Sequence, residues 1–211
     1  VKPFSDFFPF ILPFAPSAPD PLVEQYARQA AIEFCRRTRV WRYVQQITIT
    51  GIESEIIAAP AQSEIFEIES AHFKSASDLN WRKLDRVAYE DINPDLMNAT
   101  VTELSVPQAI SQFGFDTVTI APRAAGIVRV VSYLTPKINA EEVPDFIFDR
   151  FPMVIADGAL SHILMLPGQP YTNPNLGALK AGLFNQACDA NFSMNIRGQQ
   201  RAPARTKASF M

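Results

Sequence analysis

A chain of 211 residues, 47% hydrophobic and 19% charged with a formal net charge of −3, can build one full core or two small ones and has the balance of an ordinary globular protein. No stretch approaches the roughly 20 uninterrupted apolar residues of a membrane helix. Its two cysteines, Cys35 and Cys188, make no CxxC and have no neighbouring histidine pair; they read as buried free thiols of a reducing cytoplasm, a single long-range disulfide being the alternative.

Residues 1–19 hold five prolines and five phenylalanines, a composition that predicts an extended or polyproline-like arm. Pro3, Pro9, Pro13 and Pro16 break its hydrophobic tint, Asp6 lies within it and no small-residue cleavage pattern follows, so a signal peptide is not expected. Exposed rings are rare in free chain. Two readings follow: a strap across its own domain, or an arm whose Phe7, Phe8 and Phe10 pack on a neighbouring subunit.

A helix is predicted over 20–43. Val23, Ala27, Ala30 and Phe34 recur at steps of three and four, with Trp41 further along the same face. Asp20 suits the cap, Pro21 the first helical position and Glu24 the positive end of the dipole. Arg36, Arg37 and Arg39 crowd the last turn, where they either offset unpaired carbonyls or contact another subunit.

From 44 to 135 the pattern is that of strands. Ile47 and Ile49 alternate with Thr48 and Thr50, Phe66 and Ile68 with Glu67 and Glu69, and Val118 and Ile120 mark another. The β-branched run 127–134 suits a central strand, with a turn before it at 122–126. Strand fragments and loops are expected over 75–107.

Helical spacing returns over 144–195. Phe148, Phe151, Ile155, Ala159, Ile163 and Leu166 average 3.6 residues apart, with Pro152 predicting a kink or a later start and Pro167-Gly168 a stop. Asn173-Pro174 then opens a helix whose apolar stripe is Leu176, Leu179, Leu183, Ala187, Ala190 and Met194. Residues 196–211 form a basic tail with Arg197, Arg201, Arg205 and Lys207 and no acid; without those four charges the rest of the chain stands at −7.

The order predicts an α+β fold: a small helical bundle from both ends of the chain carrying an inserted antiparallel β-domain, with an extended arm and tail. No catalytic, cofactor or metal site is expected. His72 and His162 are the only histidines, GxGxxG, GxxxxGK[ST] and GxSxG are absent, and the acidic pairs Glu67 with Glu69 and Glu141-Glu142 read as solvating charges. The tail is basic but the body is acidic, which disfavours a sequence-specific nucleic-acid binder.

The segments DPLVEQYARQAAIEFCRRTRVWR and PDFIFDRFPMVIADGALSHILMLPGQPYTNP resemble the head-to-tail adaptor, or connector, proteins of tailed bacteriophages. The resemblance implies a non-enzymatic virion protein, assembled in the host cytoplasm, that docks as a ring of about twelve copies under the portal protein. It would sit at the neck, meet a tail or nozzle component, and extend the channel through which DNA passes without sequence-specific binding. On that reading Arg197, Arg201, Arg205, Lys207, Phe210 and Met211 dock on the portal, while Phe7, Phe8, Phe10, Arg36, Arg37 and Arg39 serve neighbouring copies. A tail-side neck or tail-completion protein is the nearest alternative. A small DNA-binding protein and a hydrolase using Glu or Asp are more remote ones.

Overall fold

The structure is a computed structural model and describes residues 1–51, 55–75, 80–92, 106–112, 114 and 116–196. In chain order the elements are β1 (Lys2–Pro3), a 3-10 turn (Phe4–Phe7), α1 (Phe8–Ile11), α2 (Asp20–Thr38), β2 (Arg42–Ile49), β3 (Glu55–Ile56), β4 (Ser63–Lys74) and β5 (Arg82–Arg86). A second 3-10 turn (Tyr89–Asp91) precedes β6 (Ala109–Gln112), β7 (Thr117–Ala121), β8 (Gly126–Pro136) and β9 (Glu142–Val143). The chain then forms α3 (Asp145–Arg150), α4 (Pro152–Ile163) and α5 (Pro174–Ile196). The fold is α+β, in two compact units: residues 1–40 with 136–211, and residues 41–135.

The helical unit joins both ends of the chain. α2, α4 and α5 pack on one another, with Phe34 against Phe151 at 4.8 Å between ring centroids. Gly158 sets how closely they approach: a Cβ there would stand 2.8 Å from Ala30 and 2.9 Å from the Phe184 ring, so any larger residue would force the helices apart. Lys180 on α5 reaches Asp157 on α4 at 2.7 Å, and its Nζ lies 4.3 Å from the centre of the Phe14 ring.

Residues 1–19 are folded, not extended. β1 pairs with β9, the 3-10 turn and α1 follow, and Phe4, Phe7, Ile11, Ala15 and Ala18 are buried. The prolines begin turns instead of breaking them: Pro3 precedes the 3-10 turn in an extended conformation and Pro9 stands in the first turn of α1, where no N–H is needed.

α2 also ends earlier than its spacing predicts. Arg39 takes the left-handed conformation, φ 53°, and returns its N–H to the Cys35 carbonyl. Trp41 therefore leaves the helical face and packs on the core of the sheet unit. Asp20 occupies the first turn with Pro19 before it, and makes no side-chain cap. At Phe151 the backbone turns to φ −129°, separating α3 from α4 at the position Pro152 marks.

The sheet unit holds seven strands in the order β2-β8-β4-β5-β6-β7-β3. Pairing is antiparallel for β2 with β8 (Arg42↔Tyr133 to Ile49↔Gly126), β4 with β5, β6 with β7 and β3 with β7, and parallel for β5 with β6. β2 and β3 stand at opposite ends of this order although only residues 50–54 separate them, so the sheet curls. Gly51, at φ 74°, permits the turn: a Cβ there would fall 2.6 Å from the Ala124 carbonyl carbon. A cis Ala121–Pro122 bond opens the link from β7 to β8. The concave side is filled by Ile65, Leu84, Ile110, Val118, Val128, Val130 and Leu134.

Candidate functional site

On α2, the arginines 36, 37 and 39 answer differently to their surroundings. Arg37 forms ion pairs with Glu33 at 3.2 Å and with Asp189 on α5 at 3.3 Å, donates to Asn185 and lies 6.0 Å from the Phe184 ring centre. Arg39 lies over Phe192 at 5.4 Å. Both therefore tie α2 to α5 within one copy. Arg36 is exposed at the surface of the last turn.

Phe7 is corrected by the fold. It is fully buried in its own unit, edge-on to Phe148 at 5.1 Å, and no surface of it remains for another subunit. Phe8 and Phe10 are half-buried, Phe10 standing 6.2 Å from Phe148. Arg197, Arg201, Arg205, Lys207, Phe210 and Met211 lie outside the described residues.

The acids of β4 are answered by arginines. Arg42 grips Glu69 through two nitrogens at 2.8 Å each and donates to the Tyr133 hydroxyl at 3.3 Å, while Arg86 lies 3.5 Å from Glu67 and donates to the Ile68 carbonyl. Nη2 donates the charge-assisted hydrogen bond of the Arg42–Glu69 pair. Burial pushes the Tyr133 phenol up, and the adjacent Arg42 opposes that.

Beside β5 a shallow cavity of about 240 Å³ is lined by Glu67, Ile68, Arg86, Val87, Ala88, Tyr89, Ile110, Ser111 and Gln112. Neither histidine is in this lining. His162 is exposed on α4 and stacks on Tyr26 at 5.7 Å, and His72 sits opposite Lys83 in the β4–β5 ladder. No set of three or more His, Cys, Asp or Glu side chains gathers into a metal centre among the described residues.

Cys35 and Cys188 are free and buried on α2 and α5. Burial, with Cys188 nearby, raises Cys35 far above an ordinary thiol. Burial pushes Cys188 up to about 11 against the pull of Arg37, with Glu33 and Asp189 adding to the rise. Only the thiolate reacts, so disulfide exchange with a chromogenic reagent at pH 8 should run roughly 100-fold slower in the folded protein than in guanidinium. Because the folded value for Cys188 exceeds the unfolded one, its contribution to stability is complete below the ordinary thiol pKa and is lost as pH rises from there towards 11. Equal reaction rates in the two states would contradict the burial.

The surface that spacing alone misplaces is on α5. Gly177, Lys180, Phe184 and Cys188 form its buried side, whereas Leu179 and Leu183 of the predicted stripe are exposed. The helix has almost no amphipathic asymmetry over its length, so two apolar stripes were present to choose between. The inner one was hidden because it includes a lysine and a glycine.

No family model matches the chain, and no curated protein matches it.

Proposed function

We propose that this chain is a structural neck protein of a tailed phage, a head-to-tail adaptor that docks as a ring beneath the portal and joins the DNA-filled capsid to the tail. One observation supports the reading above the others. The two segments that carry the resemblance, 20–42 and 144–174, lie far apart in sequence, yet α2 and α4 within them pack together across Ala30 and Gly158. These two helices belong to one folded unit, as parts of one docking body would, while Trp41 and Arg42 at the end of the first segment belong to the sheet unit.

On this reading the protein works by burying interface and not by turnover. Modest contacts per copy become a stable joint when a ring of copies engages a ring of portal subunits at once. The acidic body with its basic tail, Arg197 to Met211, supplies the charge contrast for gripping a partner.

The test is native mass spectrometry of the protein mixed with the portal ring of the same phage. A discrete complex with one copy per portal subunit is the expected result, and deleting 197–211 should abolish it. Complex formation untouched by the deletion would remove the tail from the docking role. No complex with an intact portal would overturn the adaptor reading in favour of a tail-side neck protein.

A further inference from the structure

The outer face of the sheet unit carries its charges unevenly. Side chains alternate across a strand, so the burial of Ala71, Phe73, Leu84, Val128 and Val130 turns His72, Lys74, Lys83, Ile127 and Arg129 to the other side. His72 stands opposite Lys83, and one step further along the same ladder Lys74 comes opposite Trp81, which is 38% exposed. β8 is the other neighbour of β4, with Gly126 at its start close against the Lys74 carbonyl, and this sets Ile127 and Arg129 on the same surface. At the far end of β4 the acids Glu67 and Glu69 are matched by Arg86 and Arg42. Here the balance is reversed. Lys74, Lys83 and Arg129 form no ion pair among the described residues, β2 and β8 contain no acid, and Asp85 at the edge of the patch is the one acid of β5.

We propose that this face binds single-stranded nucleic acid without regard to sequence, Lys74, Lys83 and Arg129 meeting phosphates while a base stacks on Trp81. Unmatched cations gathered on one face call for a polyanion, and the make-up of the patch selects the kind. A protein partner is met by an apolar centre depleted of charge, whereas in this patch cations lie among the apolar side chains. Surfaces for nucleic acid are more polar and far more positive. An exposed indole among cations is the combination that a single strand uses, because every base offers a π-face whatever its identity. In a duplex the bases are already stacked on one another, and the indole would contribute nothing. The site lies wholly within the sheet unit and goes beyond the portal reading, which can fail without it.

The experiment is fluorescence anisotropy of a fluorescein-labelled oligothymidylate of about 20 nucleotides, titrated with the full chain in salt from about 50 to 200 mM. The wild type should bind, more weakly as salt rises. A Lys74→Gln, Lys83→Gln, Arg129→Gln triple variant should bind at least ~30-fold more weakly at the lowest salt and flatten the slope of log K against log salt by about 2. Trp81→Leu should weaken binding roughly tenfold and leave the slope as it was. The same comparison in a chain carrying Arg197→Ser, Arg201→Ser, Arg205→Ser and Lys207→Ser excludes attraction by the basic tail. A wild type that leaves the anisotropy unchanged overturns the proposal, as does binding that the tail substitutions abolish or that the triple variant retains in full. A duplex bound as tightly, with Trp81→Leu without effect, overturns the single-strand reading. Polyglutamate that displaces the probe as well as unlabelled oligothymidylate does makes the partner an acidic protein and overturns it too. Where the triple variant does not fold, Lys83→Gln decides: roughly fivefold weaker binding upholds the face, and an unchanged constant overturns it.

Discussion

Asp157→Ala should destabilise the helical unit by about 3–5 kcal/mol, the largest effect expected of any polar substitution in it. Asp157 on α4 and Lys180 on α5 meet at 2.7 Å with side chains only 15% and 9% exposed. Removing the carboxylate leaves an ammonium with little water to solvate it, facing the Phe14 ring. Asp157→Leu with Lys180→Met removes both charges and should recover most of the loss, since two buried charges cost nearly as much to desolvate as their attraction returns. Urea unfolding of the single and double variants measures this. A single variant within about 0.5 kcal/mol of the wild type would mean that the pair is effectively solvated.

Phe7→Ala should cost about 3–5 kcal/mol. The ring has no exposed surface, stacks at 6.1 Å on Phe4 and meets Phe148 edge-on. Its loss would empty the space between the N-terminal turn and α3. Phe8→Ala, at a half-buried ring, serves as the comparison and should cost clearly less. The two readings of the N-terminal segment separate cleanly in the measurement. A ring that packs on its own core lowers the melting temperature whatever the protein concentration, while a ring that packs on a neighbour lowers it only where copies associate.

The class of fold was legible because long periodic runs speak plainly. The run 127–134 became β8, paired on both sides, and the 3.6-residue spacing from Ile155 to Ile163 became α4. Less was legible where one residue type has two physical uses. Proline forbids a helix interior yet favours its first turn, and so 1–19 looked extended but folded around Pro3 and Pro9. Periodicity shows that a stripe exists without showing which way it faces, and on α5 the richer stripe turned outward. A lysine gave no hint of burial, because its partner Asp157 lies on a different helix. The positive φ of Arg39, which ends α2, has no local signal either, since arginine seldom adopts it.

The first and last strands of the sheet unit lie side by side: Arg42 stands opposite Tyr133, and the Leu134 N–H reaches the Trp41 carbonyl at 2.8 Å. A flexible excursion as long as residues 41–135 would charge the helical unit roughly 4 kcal/mol of loop-closure entropy. Here the excursion ties off its own neck, so the helices of the two chain ends experience it as a short link. The sheet unit is thereby a cassette, one that can be exchanged, shortened or elaborated in a lineage while the helices keep their packing. New contact surfaces can be tried on the sheet without renegotiating the core that joins the ends of the chain.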